Sequence, residues 1–276
     1  MTANRPRLGV YGFSGCGGCQ AVLLGGDGLL LELAARFEIV HFPALGPRSA
    51  DADVDVALVE GSASTPGDVE RLRRIRAGSA YLVAVGACAA SGGLQSLRGL
   101  ARDGGRWVAD LFPHPEWLDP LDIPLPLGRH VRVDAVLPGC PIDRRELARL
   151  LCDRLAGVRT RPEWRPLCLE CKQLGLTCLL VARGEPCLGP VTRAGCGALC
   201  PRGGRGCYGC FGPADLVNVA GLGARLGSLG LAAEEIARRY RFVAGDVDAF
   251  RGAGRIGTAA GGPETPILSR LDPPQR

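Results

Sequence analysis

The sequence predicts an α/β protein in which an open parallel sheet precedes a largely irregular, cysteine-rich region. Three observations predict this organisation. Apolar strand-like runs alternate with helical runs over more than half of the 276 residues. A cysteine comes directly after the end of several of these strand-like runs. From Cys168 to Cys210, eight of the 13 cysteines fall in a segment that glycine and proline interrupt repeatedly.

The alternating part contains five predicted strands and three predicted helical runs. Strands are predicted at residues 7–13, 38–42, 54–61, 80–87 and 130–139. Helical runs are predicted at residues 21–37, with a glycine break at 25–28, and at 65–78 and 143–155. The second begins with Thr65 as its cap and Pro66 at its first position. Strands that alternate with helices predict right-handed crossovers and a parallel sheet covered on both faces.

Four cysteines are expected to meet at one edge of that sheet. Cys16, Cys88 and Cys140 each lie just past the end of a predicted strand, and Cys19 completes a C-x2-C pair with Cys16. The carboxyl ends of parallel strands share one edge, where binding sites form. Glu60 ends the strand 54–61 at the same edge. It is either a strand-end acid that caps the following turn or a polar group beside a bound cofactor.

The segment from Cys168 to Cys210 is expected to need disulfides or metal to hold its shape. Its composition indicates too little apolar surface for a core of its own. Spacing divides its eight cysteines into two sets of four: Cys168, Cys171, Cys178 and Cys187, and Cys196, Cys200, Cys207 and Cys210. Four thiolates suit either zinc or a four-iron cluster. A third set at the sheet edge favours iron, since a row of redox centres moves electrons.

Composition and charge argue against a nucleic-acid-binding or membrane-spanning protein. The net charge of +5 is small for this length, and no long basic run with interleaved aromatics indicates a nucleic-acid partner. No run of about 18 apolar residues predicts a membrane span. The N-terminal run has no apolar signal core, so we expect a cytoplasmic protein with reduced thiols. Reduced thiols favour metal ligation over disulfides.

The remaining segments give weaker expectations. Residues 102–129 are interpreted as an insertion, residues 157–167 as a linker, residues 214–250 as moderately helical, and the last twenty or so residues as a loose tail. Cys152 lies near Ala148 and Leu155 in the helical run 143–155, and we expect it to be a small buried apolar residue.

Several motifs resemble one protein family. GCGGCQ at 15–20, VEGS at 59–62, GAC at 86–88 and PGCP at 138–141 resemble the small, electron-transferring subunit of nickel–iron hydrogenases. CLGPVTRAGCGALCP at 187–201, followed by CYGCFGP at 207–213, is similar to the delta subunit of the cytosolic NAD(P)-linked hydrogenases, also called sulfhydrogenases. The resemblance covers residues 7–213.

The resemblance implies three all-cysteine [4Fe–4S] clusters. The implied ligands are Cys16, Cys19, Cys88 and Cys140 for a proximal cluster, Cys196, Cys200, Cys207 and Cys210 for a medial cluster, and Cys168, Cys171, Cys178 and Cys187 for a distal cluster. Glu60 matches the family's glutamate beside the proximal cluster. Gly17 stands where a threonine is often found, so no side chain donates a hydrogen bond from that position.

The resemblance also implies domains and partners. Residues 1–156 would form a flavodoxin-like domain with the proximal cluster, and residues 157–276 an iron–sulfur domain with the other two and the loose tail. The nickel–iron site would belong to a separate large subunit, and flavin and NAD(P) to diaphorase subunits. Two alternatives stay open: the related 20 kDa quinone-reductase subunit, and a structural zinc protein that acts as an interaction module.

Overall fold

A single parallel sheet organises the first half of the chain. The computed structural model describes residues 5–25, 28–46, 49, 52–100, 106–160, 163–251 and 253. The strands are β1 (Arg7–Gly12), β2 (Glu38–His41), β3 (Val54–Glu60), β4 (Ser79–Val85) and β5 (Ala135–Leu137). They are ordered β2-β1-β3-β4-β5, and every pair is parallel. This is the order of flavodoxin-like sheets, so the predicted fold class is confirmed, with the switch point between β1 and β3.

Helices cover both faces of the sheet. They are α1 (Gly18–Leu24), α2 (Leu29–Arg36), α3 (Pro66–Ala77), α4 (Gly86–Ser91), α5 (Arg106–Leu111) and α6 (Arg144–Leu155). One apolar cluster joins β1, β3 and β4 to α1, α2 and α6, and a second packs α3 against the opposite face of the sheet. Because side chains alternate along a strand, the central strands β3 and β4 contribute to both clusters.

The start of α3 shows how local sequence sets an element boundary. The Thr65 side chain accepts the Asp68 N–H at 3.0 Å, and the Asp68 carboxylate accepts the Thr65 N–H at 3.1 Å. Pro66 occupies the first helical turn, where no intrahelical donor is needed. This reciprocal capping box begins the helix one residue after the predicted cap.

Three local expectations are wrong. Strand β5 is shorter than the predicted 130–139. The Asp134 side chain accepts the Leu82 N–H of β4 at 2.8 Å, so this N–H is not available to pair with the backbone before Ala135. Cys88 lies inside the first turn of α4 rather than directly after the strand. Cys152 is exposed, because the buried stripe of α6 consists of Leu147, Leu150 and Leu151 and faces away from it.

The second half of the chain consists of short helices and turns around its own apolar cluster. The helices are α7 (Cys168–Gln173), α8 (Leu179–Ala182), α9 (Leu199–Arg202), α10 (Val219–Ser228), α11 (Ala233–Arg241) and α12 (Asp248–Arg251). Leu188 and Val191 of the cysteine-rich segment pack with Leu226, Tyr240 and Phe250 of the later helices. The segment therefore does share an apolar core, because the helices after it supply the surface that it lacks. The predicted loose tail lies beyond the described residues.

Contacts join the two halves of the chain. The Arg129 guanidinium pairs with Asp246 at 2.8 Å and with Asp248 at 3.0 Å. The Ser91 hydroxyl donates to the Val243 carbonyl at 3.2 Å, and the Asp246 N–H donates to the Ser91 carbonyl at 3.0 Å. Within the described residues, no single helix is long and apolar enough to cross a membrane, and the bent pair α1 and α2 meets that length and composition test only when taken together.

Candidate metal centres

The four cysteines at the sheet edge come together as predicted. Cys16 and Cys19 lie in the turn after β1 and in α1, Cys88 lies in α4, and Cys140 lies just after β5. Burial raises the pKa of Cys19 to about 12, and the charges of Glu60, Cys140 and Cys88 add to this effect. Burial also raises the pKa of Cys88 to about 11, with contributions from Cys140 and Cys16. The four sulfurs therefore lie within electrostatic reach of one another.

Glu60 and Gly86 shape this sheet-edge site. Glu60 is buried, and its Oε1 accepts the Cys19 N–H at 3.2 Å, so the carboxylate fixes the turn that presents the cysteines. Gly86 has φ 83°, and a Cβ at this position would lie 2.4 Å from the Cys19 sulfur. Only glycine leaves room for that thiol next to β4.

A second set is built around α7. Cys168 and Cys171 lie one turn apart on α7, Cys178 precedes α8, and Cys187 follows in a turn. Burial, together with the charges of Cys187, Cys171 and Cys178, raises the pKa of Cys168 to about 11. The Gly189 N–H points at the Cys187 sulfur at 3.4 Å, a contact that suits a thiolate ligand. Cys178 is exposed but lies with its predicted partners.

The third set lies between the other two. Burial raises the pKa of Cys210 to about 12, and the charges of Cys196 and Cys200 add to this. Cys207 is buried, its pKa is also raised by burial, and Cys210 is among the neighbours that raise it. On one side, Gly139, next to Cys140, lies against the ring of Phe211, next to Cys210, since a Cβ at Gly139 would come within 3.0 Å of that ring. On the other side, the Cys207 N–H donates to the Cys187 sulfur at 3.2 Å.

The chemistry of these sets fits clusters better than single ions. Buried thiolates that lie side by side need a cationic group to hold them deprotonated. Across the described part of the chain, which includes all 13 cysteines, no three His, Cys, Asp or Glu side chains come close enough together for one metal ion. A tetrahedral zinc would hold its sulfurs within about 4 Å of one another. A four-iron cluster lies between its sulfurs and keeps them farther apart.

Two carboxylates in this region were not singled out from the sequence. Glu170 accepts the backbone N–H groups of Gly195 at 2.9 Å and Ala198 at 3.0 Å, on either side of Cys196. Glu185 accepts the Gly206 N–H at 2.7 Å, next to Cys207. Both are acidic residues one or two positions from a cysteine, and that proximity is the signal that could have found them.

Comparisons with known proteins bear on the whole chain. Residues 16–153 match the model of the family described as NADH ubiquinone oxidoreductase, 20 Kd subunit. The sulfhydrogenase 2 subunit delta of Pyrococcus furiosus is 39% identical over 85% of this chain and 98% of its own length. A subunit of the F420-non-reducing hydrogenase vhu of Methanocaldococcus jannaschii is 30% identical over 78% of this chain and 84% of its own.

A solved hydrogenase structure is similar to this chain in both fold and sequence. One chain of an NAD+-reducing [NiFe]-hydrogenase in the H2-reduced state superimposes with a TM-score of 0.52 and 31% identity. The match covers 57% of this chain and 94% of that one. The fold and the sequence therefore lead to the same group of proteins.

Proposed function

The chain belongs to the family of the NADH ubiquinone oxidoreductase 20 Kd subunit, and within it to the delta-type small subunits of hydrogenases. From this premise we propose that it relays electrons through three [4Fe–4S] clusters. The relay runs between the nickel–iron site of a large subunit and an NAD(P)-linked diaphorase module, in the cytoplasm. The observation that carries the proposal is that the middle thiol set contacts both of the others: the Cys207 N–H donates to the Cys187 sulfur, and Gly139, next to Cys140, packs against Phe211, next to Cys210.

Each cluster has a defined set of residues to hold it. Cys16, Cys19, Cys88 and Cys140 hold the proximal cluster. Cys196, Cys200, Cys207 and Cys210 hold the medial cluster, and Cys168, Cys171, Cys178 and Cys187 hold the distal one. Each cluster, when bound, accepts and returns one electron at a time. The middle set is largely shielded from water, since Cys207 is buried and Cys196, Cys200 and Cys210 are part-buried.

The exposed cysteines indicate where partners contact the chain. Cys16 and Cys140 are exposed at the carboxyl edge of the sheet, so the large subunit covers that edge and brings its metal near the proximal set. Cys178 is exposed at the other end of the row, where electrons pass to or from the diaphorase subunits. Neither nucleic acid nor a membrane takes part in this function.

The second candidate is a subunit of a quinone reductase, and the name of the matching family favours it. Two features count against it. The first turn carries the spaced pair Cys16 and Cys19 rather than adjacent cysteines, and eight further cysteines follow residue 153, where the family match ends. A zinc-binding module is disfavoured by the third set of four cysteines at the sheet edge, where structural zinc has no evident role.

Purification of the native complex tests the proposal. We expect about twelve iron and about twelve acid-labile sulfide per chain, since each four-iron cluster carries four of each, together with broad brown absorption. Mass spectrometry should identify a nickel-containing large subunit and diaphorase subunits, and the complex should reduce NAD(P)+ with H2. Zinc in place of iron, or a quinone-reducing set of partners, would overturn it.

A further inference from the structure

Glu170 connects two of the three thiol sets. It lies on α7 between Cys168 and Cys171 of the distal set, and its carboxylate binds the loop that carries Cys196 of the medial set. Oε1 accepts the Gly195 N–H at 2.9 Å, and Oε2 accepts the Ala198 N–H at 3.0 Å. Both oxygens are therefore used, and the two donors lie on either side of one ligand.

The loop bound by Glu170 has a conformation that needs such support. Gly195 has φ 129°, and Ala198 has φ 53°, which is the left-handed region that alanine rarely adopts. Neither N–H group has a backbone acceptor among the described residues, and both donate to the Glu170 carboxylate. A carboxylate that accepts both holds the loop in this conformation and so fixes the position of Cys196.

The Glu170 charge also lies close to ligands of two different sets. Glu170 directly precedes Cys171 in α7, and its two oxygens accept N–H groups of Gly195 and Ala198, which lie one and two positions from Cys196. One carboxylate thus acts electrostatically on the medial and on the distal set.

We propose that Glu170 is a positioning residue that holds the Cys196 loop against α7 and lowers the reduction potentials of the two clusters ligated by Cys196 and Cys171. The inference rests on the proposed iron–sulfur function. An electron that enters a cluster adds one negative charge and breaks no bond, so a fixed carboxylate nearby makes reduction less favourable. Because one side chain lies near both sets, a change at position 170 moves both potentials in the same direction.

A redox titration of the purified complex, followed by electron paramagnetic resonance, tests the proposal. The variants are Glu170→Gln, which loses the charge and replaces one of the two acceptor oxygens by an amide donor, and Glu170→Asp, which keeps the charge and both oxygens on a shorter side chain. Glu234→Gln is the matched control, because Glu234 is an exposed acid on α11 of the same region. Iron content is measured on each preparation.

We expect Glu170→Gln to shift two cluster signals to more positive potentials, so that several-fold more of each cluster is reduced at a fixed potential. Glu170→Asp and Glu234→Gln should titrate as the unmodified protein does. Full iron with no shift in Glu170→Gln would overturn the proposal, whereas loss of iron in Glu170→Gln with full iron in Glu170→Asp would support the positioning role. Failure of the unmodified protein to show iron–sulfur signals would instead overturn the proposed function.

Discussion

At the scale of single residues, two contacts join the three thiol sets into one row. The Cys207 N–H reaches the Cys187 sulfur at 3.2 Å, and Gly139, next to Cys140, packs against Phe211, next to Cys210. The middle set thus contacts both of the others. In the proposed relay, the medial set is therefore the one through which electrons would pass between the two ends of the row.

Replacing Cys207 should separate two activities of the complex. Cys207→Ala removes one medial ligand and leaves the large subunit unchanged. Hydrogen–proton isotope exchange should persist, because it needs no distant acceptor, while NAD(P)H formation should fall steeply. Both activities are measured on the same assembled complex. Cys152→Ala is the control, since Cys152 is exposed and outside all three sets, and it should change neither. Parallel loss of both activities in an intact Cys207→Ala complex would contradict the relay.

A methyl group at Gly86 should remove the proximal cluster. The Gly86→Ala change costs about 1–3 kcal/mol for the positive φ and also drives a Cβ to 2.4 Å from the Cys19 sulfur. Gly230→Ala is the matched control, because Gly230 has φ 93° but open space around its Cβ position. Iron analysis should show about four fewer iron per chain in Gly86→Ala alone. Equal iron in both variants would show that the thiol has room to move.

At the scale of elements, strand ends and helix starts present the sheet-edge site. Strand β3 ends at Glu60, which binds the Cys19 N–H, and the chain then continues to the capped start of α3. The Ser64 and Thr65 N–H groups both donate to the Asp68 carboxylate, at 3.0 Å and 3.1 Å. The connection from β3 to α3 is thus held at both ends, which keeps Glu60 in place.

Loss of the cap on α3 should lower stability without affecting the clusters. Thr65→Ala removes the acceptor of the Asp68 N–H and should cost about 1 kcal/mol. For a chain of this size we expect a decrease in Tm of about 2–4 °C. Thr65→Ser keeps the hydroxyl and should lose much less. Thermal unfolding of the iron-loaded protein is the measurement, and an unchanged Tm in Thr65→Ala would show that the cap does not limit stability.

At the scale of the whole molecule, two apolar clusters build the sheet domain and a third builds the cysteine-rich half. The third contains buried leucines of the later helices, such as Leu222 and Leu226, and also the medial ligand Cys207. Ligands and core are therefore interleaved in the second half. In the sheet domain they meet only at one edge.

Removal of iron should act on the two halves differently. In the chelated protein, the segment 168–210 should become accessible to protease, because much of its ordering free energy comes from ligation. The sheet domain should resist, because β1, β3 and β4 are buried on both faces. Limited proteolysis with mass spectrometry of the fragments, compared with the iron-loaded protein, is the measurement. Equal resistance of both halves after chelation would show that the apolar cluster around Leu226 is sufficient.

The order of the elements and the grouping of the cysteines followed from the sequence alone. Apolar periodicity predicted the alternating strands and helices, and the shared edge of parallel strands predicted that Cys16, Cys19, Cys88, Cys140 and Glu60 would meet. These features depend on local geometry and on the fixed handedness of crossovers. Spacing likewise separated Cys168–Cys187 from Cys196–Cys210.

Only the tertiary structure decided how these pieces contact one another. The exposed position of Cys152, the short β5 and the bridge from Glu170 to the Cys196 loop depend on which faces pack together. The same is true of the contact between Cys207 and Cys187, whose neighbours come from separate turns. Spacing along a chain fixes contacts within a turn or a helix, whereas contacts between loops depend on the packing of the whole molecule.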